Sequence, residues 1–225
     1  LHGVPVALKD IIDVVGVATT AHSKLLLNHV ATADAFVTAK LKQAGAVITG
    51  KLSTHEFAIG GPAFDLPFPP ARNPWNLEHH PGGSSSGAGT SVAAGMVPAA
   101  LGSDTGGSVR NPASCCGIVG IKPTYGRVSR RGVIPLSFSL DNVGPLTRTV
   151  EDNALVLAAI AGHDPADPAS APRAVDDYLT DLKRGVKGLK IGLIRHFYTH
   201  DTVADDEMAA GIENAATYLA GLGAE

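Results

Sequence analysis

The chain has 225 residues, of which 44% are hydrophobic and 17% are charged, so it is long enough to bury a substantial core. Its 18 basic and 21 acidic residues leave a net charge of −3, which argues against binding to nucleic acid or to anionic lipid. No apolar run approaches the roughly 20 residues that cross a bilayer. These properties favour a soluble, cytoplasmic protein.

The two cysteines, Cys115 and Cys116, are adjacent in the sequence. Neighbouring residues rarely meet the geometry of a disulfide, so we predict two reduced, packed thiols, as expected in a reducing compartment. Cys116 is interpreted as a small apolar side chain of the core rather than as a nucleophile.

Strand-like and helical patterns alternate from the N-terminus onward. Short apolar runs predict strands at 3–8 and 46–52, with a helix over about 33–44 between them. The proline-rich segment 64–81 predicts an extended loop, because proline lacks the N–H that regular structure requires.

A second helix is predicted over 85–96, where small residues allow close packing, with its N-terminus directed at Ser84. Buried strands are predicted at 97–102 and 117–121, on either side of the loop that carries Ser108. This alternation of strands and helices is typical of an α/β fold.

The last third of the chain contains three more predicted elements. Thr149 and Asp152 form the pattern of a capping box for a helix that runs through Ile160. An apolar strand is predicted at 189–194 and an amphipathic helix at 205–222. Without an internal repeat, we treat 1–225 as a single domain.

Two serines lie in glycine-rich stretches downstream of Lys9. Ser84 stands in Pro-Gly-Gly-Ser-Ser-Ser-Gly and Ser108 in Asp-Thr-Gly-Gly-Ser-Val-Arg. Glycine lets backbone N–H groups turn inward and approach a substrate carbonyl closely. Each element by itself is weak evidence, since Gly-Gly-Ser is usually a turn and a lysine after a strand is usually exposed. Together they suggest an amide hydrolase.

A serine hydroxyl is a poor nucleophile and needs a base within hydrogen-bond reach. Lysine can be that base only when it is neutral. Lowering its pKa from about 10.4 to about 7.5 removes roughly 4 kcal/mol of ammonium stabilisation, which burial can bring about. Lys9 ends an apolar run and is therefore placed where burial is expected.

These motifs resemble those of the amidase signature family. The similar stretches are 82–112, 116–126, 141–146 and 3–10. The resemblance implies an α/β fold with a mixed β-sheet flanked by helices. It also implies that 1–225 is the central part of a family member, truncated at both ends.

The resemblance implies a role for each residue of the motifs. Lys9 would be the base, Ser84 a relay held by a cis peptide bond, and Ser108 the nucleophile that is acylated. Backbone N–H groups from Thr105 to Ser108, including Gly106 and Gly107, would form the oxyanion hole. Ser85 would support the site by donating to Lys9 or Ser84, or would cap the following helix. Asp104 and Arg110 are expected to hold the loop in shape.

Several alternatives stay open at this stage. The family includes stand-alone amidases that act on small amides and the glutaminase-type A subunit of tRNA-dependent amidotransferases, which has partner subunits; a homodimer is a further option. The chain could also be a non-catalytic piece. The pattern around Ser85 literally fits the nucleophile elbow of a Ser-Asp-His esterase, and a glycine-rich turn could hold phosphate. No metal or organic cofactor is expected.

Overall fold

A five-stranded mixed sheet organises the first 179 residues of the computed structural model, which describes residues 1–225. The strands are β1 (Pro5–Lys9), β2 (Val47–Leu52), β3 (Ala99–Asp104), β4 (Val119–Gly120) and β5 (Asn142–Thr147). Their order across the sheet is β2-β1-β3-β5-β4. β1 is parallel to β2 and β3, whereas β5 is antiparallel to both β3 and β4. The α/β prediction is confirmed.

Four α-helices belong to this unit: α1 (Phe36–Gln43), α2 (Ser86–Ala93), α3 (Arg110–Cys116) and α4 (Val150–Ile160). The predicted start of α4 is confirmed, since the Thr149 hydroxyl caps the helix by accepting a hydrogen bond from the N–H of Asp152 at 3.1 Å. The second bond of a capping box is replaced by a bond from the Thr149 hydroxyl to the Asp152 carboxylate at 2.8 Å. Helix α3 was not predicted, because its sequence Arg-Asn-Pro-Ala-Ser-Cys-Cys is too short to show a helical period.

Two apolar clusters form the core. Leu8 and Leu101 belong to one cluster and the adjacent Ala7 and Ala100 to the other. Successive side chains of a strand point to opposite faces, so the clusters lie on the two sides of the sheet. The central strand β3 is buried along its whole length, which explains its continuous run of small and apolar residues.

Residues Thr180–Glu225 form a second unit. It contains helix α5 (Asp206–Gly221), which confirms the predicted helix, and the Asp205 carboxylate caps it by accepting from the N–H of Met208 at 2.7 Å. The predicted strand at 189–194 is wrong. Apart from local turns, its only backbone partner is Glu225. The N–H of Glu225 donates to the carbonyl oxygen of Leu189, and its carbonyl oxygen accepts from the N–H of Ile191. A single paired residue does not form a ladder of hydrogen bonds between strands.

None of the helices is both long and apolar enough to cross a membrane. The chain divides into two compact units, Leu1–Leu179 and Thr180–Glu225. That residues 1–225 form a single catalytic domain stays a prediction.

Candidate active site

Lys9, the last residue of β1, is fully buried. Its amine Nζ donates to the hydroxyl oxygen of Ser84 at 2.7 Å and to that of Ser103 at 2.9 Å. Burial lowers the pKa of Lys9 to about 7, although the negative charges of Asp104 and Asp141 oppose this change. A substantial fraction of the amine is therefore neutral near pH 7 and can accept a proton.

The backbone around Ser84 is held from three directions. The Gly83–Ser84 peptide bond is cis. The carbonyl oxygen of Ser84 accepts from the hydroxyl of Thr54 at 3.0 Å and from the N–H of His55 at 3.1 Å. The N–H of Gly83 donates to the side chain of Asn111 at 2.9 Å. These contacts fix the position from which the Ser84 hydroxyl meets Lys9.

The loop that carries Ser108 is organised by Asp104, whose side chain is buried. The carboxylate accepts from the N–H groups of Gly107 at 2.8 Å, Val109 at 3.1 Å and Arg110 at 3.3 Å. The Arg110 guanidinium donates two further bonds, at 3.0 and 2.9 Å. Burial alone would raise the pKa of Asp104, but these hydrogen bonds outweigh it and lower the pKa. The expected structural role of Asp104 and Arg110 is confirmed.

Ser108 is half-buried, and its hydroxyl makes no hydrogen bond within the protein. Its carbonyl oxygen accepts from the N–H of Ser85 at 3.2 Å, so residue 108 lies directly against the segment that follows Ser84. The hydroxyls of Ser84 and Ser108 are not hydrogen-bonded to each other. Catalytic hydrogen bonds often form only once substrate is bound.

The N–H groups of the loop differ in availability. Those of Thr105, Gly106 and Ser108 make no hydrogen bond within the protein, whereas that of Gly107 donates to Asp104 at 2.8 Å. Donors that already point at a protein carboxylate are poorly placed for a substrate oxyanion. Of the predicted oxyanion donors, Gly107 is therefore the least available.

Ser85 supports the site through a contact that the sequence did not indicate. Its hydroxyl donates to the carbonyl of Ser103 at 3.1 Å and accepts from the N–H of Ser103 at 3.2 Å. The expected bond from Ser85 to Lys9 or Ser84 is absent, and its side chain does not cap α2 although it stands at the N-cap position. Ser85 is fully buried, so it is also inaccessible as an esterase nucleophile.

Ser103 is a site residue that the sequence patterns did not reveal. It lies on β3 next to Gly102, where a Cβ would come within 2.6 Å of the Ser85 hydroxyl oxygen. The glycine thus lets Ser85 reach the backbone of β3. The only sequence signal for Ser103 is a hydroxyl at the end of a buried apolar strand, which is common.

Two histidines also lie beside the site. The N–H of Gly82 donates to Nδ1 of His80 at 3.1 Å, Nε2 of His80 is 3.4 Å from Nε2 of His55, and Nδ1 of His55 is 3.1 Å from the carbonyl oxygen of Gly60. Each contact in this series has one donor and one acceptor when both imidazoles are neutral, with Nε2–H on His80 and Nδ1–H on His55. Burial and the neighbouring His80 lower the pKa of His55, which favours the neutral form.

Both cysteines are free thiols. Cys116 is buried and donates to the carbonyl oxygen of Pro81 at 3.3 Å, as expected for a packed side chain. Cys115 is exposed, so the expectation of two packed thiols is wrong for this residue. The cause is helix α3, which turns consecutive side chains by about 100° and so presents only one of them to the core.

Gly83 provides a test of the packing beside the cis peptide bond. A Cβ on Gly83 would lie 2.1 Å from Cε1 and 2.3 Å from Nε2 of His55, so Gly83→Ala forces the imidazole to move. We expect a loss of about 1–3 kcal/mol in the free energy of unfolding and an approximately 10-fold lower kcat in an amide hydrolysis assay.

Gly50→Ala is the matched control, because a Cβ at that position meets nothing within 4 Å. In a His55→Ala background, Gly83→Ala should have a much smaller effect on stability, since the two side chains no longer overlap. Equal effects in both backgrounds would show that the close approach to His55 is unimportant.

Comparison with known proteins places this chain and its fold in one class. The family model described as Amidase matches residues 1–225. The A subunit of the glutamyl-tRNA(Gln) amidotransferase from Carboxydothermus hydrogenoformans is 53% identical over 224 residues, which are 100% of this chain and 46% of that protein. The chain thus belongs to the amidase signature family.

Two solved structures illustrate the similarity. The A subunit of the glutamyl-tRNA(Gln) amidotransferase from Thermotoga maritima has a TM-score of 0.94 at 46% identity, covering 100% of this chain and 50% of that one. The peptide amidase of Stenotrophomonas maltophilia has a TM-score of 0.87 at 42% identity, covering 100% and 47%. The chain spans about half the length of the relatives it matches. The fold implied by the resemblance is confirmed.

Proposed function

We propose that Lys9, Ser84 and Ser108 form the catalytic centre of an amidase. The enzyme would hydrolyse a carboxamide C–N bond through an ester intermediate on Ser108. The observation that carries this proposal is the buried amine of Lys9, which lies 2.7 Å from the Ser84 hydroxyl oxygen and has a pKa of about 7. Unpaired buried lysines are rare, and strongly shifted pKa values concentrate at functional sites.

The proton path runs from Ser108 to Ser84 and from Ser84 to Lys9. A hydroxyl both donates and accepts, so Ser84 can pass the proton of Ser108 to the lone pair of the neutral amine. Ser103 accepts an N–H of the same amine at 2.9 Å and so restrains its orientation.

The Ser108 oxygen attacks the amide carbon, and the oxyanion that develops is stabilised by the free N–H groups of Thr105, Gly106 and Ser108. Collapse of this intermediate breaks the C–N bond, and the proton held by Lys9 leaves on the amine product. Water then attacks the acyl ester as its proton passes through Ser84 to Lys9. The return of that proton to the Ser108 oxygen restores the hydroxyl and releases the acid product.

The test is a panel of small amides and esters incubated with the full-length protein, followed by peptide mass spectrometry of the trapped intermediate. We expect an acyl adduct on Ser108. An adduct on Ser85, or on Cys115, would contradict the proposal.

A glutaminase-type A subunit is the second candidate. The identities of 53% and 46% to the A subunits of two glutamyl-tRNA(Gln) amidotransferases favour it. It predicts that L-glutamine is the preferred amide and that further subunits copurify with the full-length protein. Efficient turnover of varied amides by the isolated protein, with no gain from partners, would favour a stand-alone amidase.

A further inference from the structure

Asp141, which directly precedes β5, forms hydrogen bonds with two separate segments of the chain. Its buried carboxylate accepts from the hydroxyl of Thr105 at 2.5 Å on one side. On the other side it accepts from the N–H of Leu136 at 2.8 Å and from that of Ser137 at 3.0 Å. One carboxylate therefore joins the turn that precedes Ser108 to the separate segment 136–137.

Thr105 depends on this contact for its position. The carboxylate of Asp104 holds Gly107, Val109 and Arg110, but it makes no bond to residue 105 or 106. The N–H of Thr105 has no partner within the protein. Its hydroxyl bond to Asp141 is thus the hydrogen bond that anchors the first residue of the turn.

We propose that Asp141 is a positioning residue, which fixes Thr105 so that the free N–H groups of Thr105 and Gly106 are directed at the substrate carbonyl. This inference rests on the proposed amidase function. A donor stabilises an oxyanion only when it is held in place before the reaction, and displacement by about 1 Å can lower the rate by as much as 100-fold.

Asp141 also lines a cavity that reaches Ser103. This cavity of about 280 Å³ is lined by Ser103, Leu136, Asp141 and Asn142, among other residues. Ser103, which also contacts Lys9, is the residue that this cavity shares with the candidate site.

Asp141 also acts on Lys9 electrostatically. The charged and titratable groups that interact with Lys9 are Asp104 of β3, Asp141, and His55 from the loop after β2. The charge of Asp141 raises the pKa of Lys9, in opposition to burial. Replacing Asp141 by a neutral side chain should therefore lower the pKa of Lys9 further.

Two substitutions separate the hydrogen bond from the charge. Thr105→Val removes the hydroxyl and keeps the Asp141 charge, so we expect kcat to fall about 10- to 100-fold with KM nearly unchanged and no shift of the acid limb of the pH–rate profile. Thr105→Ser keeps the hydroxyl and should restore most of the activity. Asp141→Asn should lower kcat and also move the acid limb to lower pH.

Asp164→Asn is the matched control, because Asp164 is also buried and accepts from a hydroxyl, that of Ser129, at 2.8 Å. It should leave the acid limb in place. NMR titration of the Lys9 amine in full-length protein gives a readout that needs no turnover. The midpoint should be lower in Asp141→Asn than in wild type and unchanged in Thr105→Val.

The outcomes distinguish the two proposals. Wild-type protein that turns over no amide or ester would overturn the proposed function and, with it, the positioning role that rests on it. Full kcat in Thr105→Val would overturn the positioning role, whereas an unchanged Lys9 midpoint in folded Asp141→Asn would overturn only the electrostatic effect of Asp141 on Lys9. If Asp141→Asn does not fold, the Thr105 pair decides.

Discussion

Replacing Ser108 by alanine should remove at least about 99.9% of amide turnover while leaving the fold intact. The ester intermediate cannot form without the hydroxyl, and only the weak catalysis from the remaining backbone donors survives. The Ser108 side chain makes no hydrogen bond to the protein, so the free energy of unfolding should change by no more than about 0.5 kcal/mol. Steady-state kinetics and urea denaturation measure the two effects.

Ser114→Ala is the matched control for Ser108→Ala. Ser114 lies on the exposed face of α3, six residues downstream, and should tolerate the change in both assays. Turnover that persists in Ser108→Ala would exclude Ser108 as the nucleophile. If activity were lost instead in single histidine variants, a Ser-Asp-His mechanism would be favoured.

Lys9→Met should lower kcat/KM by about 10²–10⁴-fold, the usual contribution of a general base. Wild-type activity should rise with pH through an acid limb near pH 7, as the amine deprotonates, and this limb should be absent in the variant. Because the pKa of His55 is lowered below its ordinary value, its titration should not be mistaken for this limb.

The same substitution should make the protein more stable at neutral and acidic pH. Below about pH 7 the wild-type amine is charged in both the folded and the unfolded state, so the full penalty of burying an ammonium applies. Between about pH 7 and pH 10.4 the unfolded chain keeps a proton that the folded protein has lost, so wild-type stability rises by up to roughly 5 kcal/mol.

Urea denaturation at pH 6, 7.5 and 9 checks this prediction. The free energy of unfolding of Lys9→Met should exceed that of wild type by the largest amount at pH 6, and this difference should decrease as the pH rises. A constant difference at all three pH values would mean that the amine does not lose its proton in the folded protein. Lys24→Met is a suitable control, because Lys24 is exposed.

Much of the local structure could be predicted from short-range sequence patterns. The strands that became β1 and β3, the capped helix α4 and the glycine-rich loop before Ser108 follow from the order of apolar, polar and glycine residues. The prediction of a strand at 189–194 was wrong although its apolar pattern is suitable. In this structure the segment has no neighbouring strand with which it could pair.

The candidate site was predicted unevenly. Lys9, Ser84 and Ser108 were predicted from their motifs, and their shared catalytic role stays a proposal. In the structure the Lys9 amine lies 2.7 Å from the Ser84 hydroxyl oxygen, and the carbonyl oxygen of Ser108 accepts from the N–H of Ser85. Ser103 was missed, since its contact with Lys9 spans 94 residues. The contact between Asp141 and Thr105 spans 36 residues and has no signature in either segment.

The sequence by itself predicted which residues carry chemistry, and it determined how the chain turns around them, because glycine, proline and apolar periodicity act on neighbours along the chain. Only the tertiary structure decided that Lys9 has lost its contact with water, that the Ser85 hydroxyl bonds to the backbone of Ser103, and that the N–H of Gly107 already donates to Asp104. Desolvation and hydrogen-bond partners depend on what packs in space, and residues far apart in sequence supply both.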